Sequence, residues 1–279
     1  MFTSTDFTFN GIKASSFSLK LIRMDSSMFI EEPIVGGASL TEVDFANDFR
    51  PYLYKVRRSP IEFSLQLALV DANDRPIEWT TAKKSLIYNW LFHNSYKELV
   101  FDDEPDVYFY ALALSEPKLR TTYGQGYIEV NFRTNSPYAW SPLYEVSIIG
   151  NALTDTTAMT FNLNNKPKPV YDKVYLKTLL TRIGTSVGNP NFTVGTMASV
   201  NTITLDDSKI TGVNTVLFDG TTKTVWSSDL NWRTITPLYQ HRLLTRGDNF
   251  PYLTADHLGS FSLSAGWNAI IRYQYPILR

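Results

Sequence analysis

The chain of 279 residues contains no cysteine. Disulfide frameworks, thiolate zinc sites and cysteine nucleophiles are therefore all excluded. Histidine is scarce: His93, His241 and His257 are the whole supply. None forms an HxxxH or HxH pair, and a zinc site needs three or four convergent ligands. A bound metal is not expected. Charge of one sign is lacking too. The 26 basic and 27 acidic side chains leave a formal net charge of −1, with no long basic run, so the electrostatic footprint of a nucleic-acid binder is missing. No apolar run approaches the roughly 18 residues of a membrane helix, which argues against membrane insertion. The opening MFTSTDFTFNGIK has no basic segment followed by an apolar one, as a secretory signal would. The expectation is a soluble protein made in a cytoplasm.

Aromatic residues are abundant, with 16 Tyr and 17 Phe, and broad side chains of this kind suit strands. Alternation of apolar and polar residues dominates the first half. It is clear in Ile61-Glu62-Phe63-Ser64-Leu65-Gln66-Leu67 and Ile128-Glu129-Val130-Asn131-Phe132-Arg133, and weaker in Phe17, Leu19 and Leu21. One segment reads as a helix over about 81–94. Thr80 or Thr81 caps it, and Leu86, Ile87, Trp90 and Leu91 form one apolar stripe. Residues 26–60, punctuated by Pro33, Gly36, Gly37 and Pro51, read as an extended loop or a protruding hairpin, an arm that touches another chain. Two prolines in Asn135-Ser136-Pro137-Tyr138-Ala139-Trp140-Ser141-Pro142 suggest a linker. The expected domains are 1–140 and 141–279. The second holds short strand candidates at Tyr144–Ile149, Met159–Leu163, Val170–Leu176, Val213–Phe218 and Ala269–Tyr275, with closely spaced turns. The fold class expected is mostly β: two β-sandwich domains, the first with one α-helix, the second galectin-like or jelly-roll-like.

The search for chemistry comes back empty. Asp102-Asp103-Glu104-Pro105-Asp106 packs carboxylates into one turn, whereas a glycosidase pair must flank a cleft at a set separation. Neither this run nor Asp71-Ala72-Asn73-Asp74 has EF-hand spacing. Gly124-Gln125-Gly126 lacks a third glycine and precedes a strand, so it fails as a dinucleotide fingerprint. No catalytic residue, cofactor or metal is expected. Trp226, Trp232, Tyr252 and Trp267 admit two readings: exposed rings that stack on sugars, in a lectin-like or cell-wall-binding module for host recognition, or core packing.

A pattern of motifs carries more. Phe7-Thr8-Phe9-Asn10-Gly11-Ile12, then Ser16-Phe17-Ser18-Leu19, precede a helix bearing Trp90-Leu91. Leu99-Val100-Phe101-Asp102-Asp103-Glu104-Pro105 follows, with Tyr108 and Tyr110, then Gly126 to Phe132 leading into Ser136-Pro137-Tyr138-Ala139. Leu263-Ser264-Ala265-Gly266-Trp267-Asn268-Ala269-Ile270 lies near the end. In this order they resemble the distal tail protein family of long-tailed, siphovirus-type bacteriophages. Pro33-Ile34-Val35-Gly36-Gly37 departs from that family's arginine-and-glycine loop. The resemblance implies a structural virion protein at the tail tip. It implies a six-membered ring of identical subunits, singly or as stacked rings, joining the tail tube to the hub or tail-associated protein. In some members the ring carries receptor-binding proteins, and DNA passes through it without sequence-specific binding. The arm supplies the candidate ring contacts Phe45, Phe49, Arg50, Tyr52, Tyr54 and Arg57, a mixture of aromatic and arginine anchors.

Overall fold

The fold is described from a computed structural model, over residues 6–22, 35–43, 50–114, 117–149, 157–161, 166–171, 173–183, 191–196, 200–204, 215–222, 224–227, 252–254, 259–263 and 266–278. It is mostly β and divides into two compact units, Met1–Ser141 with Leu278–Arg279, and Pro142–Ile277.

In the first unit β1 (Phe7–Phe9) folds back on β2 (Ile12–Lys13) through Asn10-Gly11. Their φ angles of 51° and 76° are those of the tight turn that hairpin twist favours. A one-turn 3-10 helix, Ala14–Phe17, leads to β3 (Leu19–Ile22). Phe17 thus stands outside the strand its alternation with Leu19 and Leu21 suggests, because its ring packs on Trp90 at 4.6 Å. Next come β4 (Ala38–Val43), β5 (Tyr52–Arg58), β6 (Glu62–Leu69), α1 (Thr81–Leu91), β7 (Lys97–Phe101) and β8 (Tyr108–Ala113). The unit ends with β9 (Lys118–Thr122), β10 (Gln125–Thr134) and β11 (Ala139–Trp140).

The main sheet is antiparallel, in the order β2-β1-β7-β8-β10-β6-β3, with β9 also on β10 and β11 on β8. Its central ladder sets Phe63 opposite Phe132, Leu65 opposite Val130 and Leu67 opposite Ile128. The period-2 pattern puts these side chains on one face, and all but half-exposed Phe63 are buried. The sheet curls. Strands β1 and β10 are not neighbours in it, yet the Phe9 and Phe132 rings meet edge to face at 5.5 Å.

Helix α1 closes this core. The Thr80 hydroxyl accepts from the Lys83 N–H at 3.4 Å, a normal N-cap. Ile87, Trp90 and Leu91 are buried, but Leu86 is 57% exposed. At about 100° per residue Leu86 falls off the buried arc that Ile87, Trp90 and Leu91 define. The helix stops at Leu91, short of His93 and Asn94, because Phe92 turns extended (ψ 105°) while its N–H still reaches Tyr88 O. The Asn135–Ala139 stretch, expected as part of a linker, is tied down. Thr134 Oγ1 accepts from Ile61 N–H (2.9 Å) and donates to Ser136 O (2.6 Å), and Asn135 N–H reaches Tyr110 O (2.9 Å).

The second unit carries β12 (Tyr144–Ile149), β13 (Thr157–Phe161), β14 (Lys173–Tyr175), β15 (Lys177–Arg182), β16 (Asn191–Thr196), β17 (Val200–Thr204), β18 (Thr215–Asp219), β19 (Thr224–Ser227), β20 (Tyr252–Thr254), β21 (Gly259–Leu263) and β22 (Trp267–Tyr273). One sheet runs β12-β22-β15-β18-β19, a second β13-β21-β16-β17, and β14 pairs with β20. In the first sheet Ile148, Ala269, Leu180 and Val216 lie in one cross-strand row. All four are buried, so this face is the core side of a sandwich.

Candidate interface site

The arm's described part is a two-stranded hairpin, β4 with β5, separate from every other sheet. Each of its residues, Ala38–Val43 and Tyr52–Arg58, is exposed. Tyr54 is 74% exposed, Tyr52 64% and Leu40 59%. A hairpin with no buried face is marginal in water, and contiguous exposed apolar side chains mark partner surfaces. Its root, in contrast, is fixed. Gly36 N–H donates to Pro137 O and Ser59 N–H to Gly37 O, both at 2.9 Å. A Cβ on Gly36 would lie 1.7 Å from Ser59 O, so only glycine fits there.

One irregularity sorts the hairpin's faces. Thr41 pairs with Lys55 and Glu42 with Leu53, which leaves Tyr54 as the extra residue of a β-bulge. Because side chains alternate along β4, Leu40 with Val56 and Glu42 with Leu53 share one face, while Ser39 with Arg57, Thr41 with Lys55 and Val43 with Tyr52 share the other. Without the bulge Leu53 would join Lys55 and Arg57. With it, one face carries Leu40, Leu53 and Val56 beside Glu42 and Arg58, and the other carries Lys55 and Arg57 with Val43 and Tyr52. Arg50, Tyr52, Tyr54 and Arg57 therefore sit together on or beside the hairpin; Phe45 and Phe49 lie outside the described residues.

The four candidate sugar-contact aromatics are not brought together. Trp267 is wholly buried. It shares a face of β22 with Ala269 and Ile271, so it is a core residue that no glycan reaches. Trp226 pairs with Leu217 on the opposite face and is 46% exposed. Tyr252 lies on β20, and Trp232 lies outside the described residues.

The carboxylate run Asp102–Asp106 is a turn, held by Glu104 N–H to Phe101 O (3.1 Å) and by a 2.7 Å ion pair from Lys13 to Asp102. Both partners are exposed, and such pairs contribute about 0–1 kcal/mol. Asp71 Oδ1 accepts from Asn73 and Arg75 N–H at 2.8 and 2.9 Å, an Asx turn. Among the described residues no three His, Asp or Glu side chains converge as metal ligands, and no helix is long and apolar enough to cross a membrane.

Sequence reasoning missed one electrostatic cluster. Lys166 Nζ sits 3.6 Å from the Tyr144 ring centroid and 5.0 Å from that of Tyr273, and it donates to the Tyr273 hydroxyl at 2.7 Å. Burial lowers the ammonium's pKa. Burial, then the neighbouring Tyr144, pushes the Tyr273 hydroxyl up to about 12, and burial raises Tyr275 as well. A raised tyrosine pKa gives stability that is complete below the unfolded value near 10 and is lost as pH rises through the folded one. Lys166 works the other way: its cost is relieved as pH climbs through its lowered folded value and is gone by the unfolded lysine value of about 10.4. Alkaline denaturation followed by tyrosine absorbance should therefore show a loss of stability between about pH 10 and 12 that Tyr273→Phe flattens. An unchanged profile would mean that Tyr273 titrates normally.

Residues 2–136 match the family described as phage tail protein N-terminal domain. The match lies within the first unit and covers just under half of the chain. The fold of the chain is similar, over 97% of its length and 98% of the other chain, to the crystal structure of phage SPP1 Dit. The TM-score is 0.54 and the identity 9%. That protein is described as a paradigm of the hub adsorption apparatus in phages infecting Gram-positive bacteria. The phage P2 baseplate in its activated conformation with Ca is a further likeness: 92% and 90% of the two chains are covered, at 7% identity and a TM-score of 0.46. No curated protein matches the chain at a significant level. The chain thus carries a match to a phage tail protein N-terminal domain, and its fold is similar to that of Dit.

Proposed function

We propose that this chain is a structural phage tail protein that assembles head to tail into a homo-hexameric ring, single or stacked. The ring sits at the distal end of the tail and joins the tail tube to the hub and the host-attachment apparatus, receptor-binding proteins included. DNA crosses it without sequence-specific contact, and the subunit is made in the host cytoplasm and works without catalysis. The observation that carries this reading is the β4–β5 hairpin: a rooted arm with exposed aromatic and arginine side chains and no core of its own. A closed ring requires a heterologous contact, in which one surface of each copy meets a different surface of the next. A projecting arm is a natural half of such a contact. The net charge of −1 suits a channel that passes DNA without retaining it. Multi-angle light scattering behind a sizing column is the test. Six copies of 31.8 kDa give a particle of about 190 kDa, or twice that for a stacked pair. A monomer persisting at high concentration would refute assembly by this chain.

A further inference from the structure

In the second unit, the outward face of the sheet β12-β22-β15-β18-β19 carries a row of side chains that sandwich packing does not account for. Side chains alternate along each strand, so the neighbours of the buried Ile148, Ala269, Leu180 and Val216 point away from the core. The register sets Ile270 opposite Leu179, Leu179 opposite Leu217 and Leu217 opposite Trp226. Four apolar side chains thus follow one another across four strands, about 14 Å from end to end at a strand spacing of about 4.8 Å. The first three are partly buried, and Trp226 at the end is exposed. The outward face of an antiparallel sheet ordinarily reads polar, and contiguous apolar side chains open to solvent mark a binding surface.

The flanks of the row narrow its occupant. On one side lie Glu145, Arg272, Lys177 and Asp219, again one per strand. They pair among themselves, Arg272 with Glu145 at 2.6 Å and Lys177 with Asp219 at 3.3 Å, so this border carries no net charge. On the other side lie Asn268, Thr181 and Thr215, one amide and two hydroxyls. A protein partner calls for a broad apolar core inside a polar rim, and this stripe is one side chain wide. A nucleic acid or another polyanion calls for an excess of cations, and the border is balanced. A neutral sugar chain has the complementary surface. Its C–H faces stack on an indole and on aliphatic side chains, and its hydroxyls, on both edges, bond to the carboxylate, guanidinium, amide and hydroxyl groups that flank the row. A mostly apolar platform with a few placed polar groups is the usual plan of such sites.

We propose that this face of the second unit binds a neutral polysaccharide lying across the strands, with Trp226 as the stacking platform and the Arg272, Lys177 and Asp219 border holding hydroxyls along one edge. Of the four aromatic residues that admit a sugar-contact reading in the sequence, the site uses one, joined to three aliphatic residues that only the strand register brings beside it. It lies on a different unit from the arm and does not depend on ring formation.

The test is affinity electrophoresis of the full-length chain in native gels cast with dextran, galactan, mannan or hydroxyethyl cellulose, with polygalacturonate as the anionic control. At least one neutral polymer should retard the parent. Trp226→Ala should weaken that binding about tenfold or more with the thermal midpoint unchanged. Trp226→Tyr keeps a stacking ring and should recover part of the loss. Leu179→Lys places a charge in mid-row on another strand and should weaken binding comparably, which keeps the test decisive if Trp226→Ala fails to fold. Ile149→Ala, at an exposed position outside the row, should bind as the parent does. Four results would overturn the proposal: no neutral polymer retarding the parent, retardation by polygalacturonate alone, row variants that bind as tightly as the parent, or a Trp226→Ala chain whose assembly mass falls while its retardation holds, the mark of a protein contact.

Discussion

Trp90→Ala is expected to cost the first unit about 3–5 kcal/mol, the usual range for deleting a buried tryptophan. The indole is 5% exposed and lies between three phenylalanines, with ring centroids 4.6 Å from Phe17, 5.8 Å from Phe7 and 6.0 Å from Phe9. Its Nε1–H also donates to Phe9 O at 3.0 Å. Alanine leaves a cavity and a buried carbonyl without that donor, and the second loss alone costs about 1–3 kcal/mol. Domains are stable by about 5–15 kcal/mol in all, so the variant sits close to unfolding. Guanidinium titration followed by near-ultraviolet circular dichroism measures it. Trp90→Phe, which keeps an aromatic ring and drops the N–H, should fall between the two. A Trp90→Ala variant within about 1 kcal/mol of the parent would mean that α1 is not what closes the curled sheet.

Much of that core is legible in the sequence, for a physical reason. Where a sheet buries one face, alternation is enforced, and Ile61 to Leu67 and Ile128 to Phe132 display it directly. The helix shows through its 3.6-residue period, although the period alone did not tell that Leu86 lies just off the buried arc. The arm shows the limit of the same signal. Tyr52, Tyr54 and Val56 alternate as if to face a core, yet all three are exposed. A pattern records that a face is covered, but not whether the cover is the same chain or another. The bulge at Tyr54, which moves Leu53 to the face of Leu40 and Val56, has no sequence mark, because it depends on the register with Thr41 and Glu42.

The second unit was harder to read. Trp226 and Trp267 look alike as isolated tryptophans. Period 2 separates them once strands are known: Trp267 falls in step with buried Ala269, Ile271 and Tyr273, while Trp226 pairs with Leu217 on the other face. The first of these could have been read from the alternation Trp267-Ala269-Ile271-Tyr273 itself. The cluster of Lys166 with Tyr144 and Tyr273 could not, since its members lie far apart in the chain and no local pattern links them.

Replacing Tyr52 and Tyr54 together by alanine is expected to raise the dissociation constant between copies about thirtyfold or more. That corresponds to the roughly 2 kcal/mol or greater cost of truncating aromatic anchors at an interface. The fold of the single chain should not notice. Both rings are exposed, and surface substitutions of this kind stay within about ±0.5 kcal/mol. This separation of assembly from stability is the signature of an arm whose complement is another copy, and it is the reverse of the Trp90→Ala result. The bulge refines the expectation. Tyr52 pairs with Val43 on the face that carries Lys55 and Arg57, whereas Leu53 shares the face of Leu40 and Val56. Leu53→Ala should then weaken assembly without altering its salt dependence. Arg57→Ala should change the association rate and its response to ionic strength more than the final affinity, as charges at an interface rim do. Sedimentation velocity over a concentration series, at low and at physiological salt, reads both effects. If the double alanine variant sediments as the parent does at every concentration, the arm is not a ring contact, and its exposed aromatic face serves a different tail component.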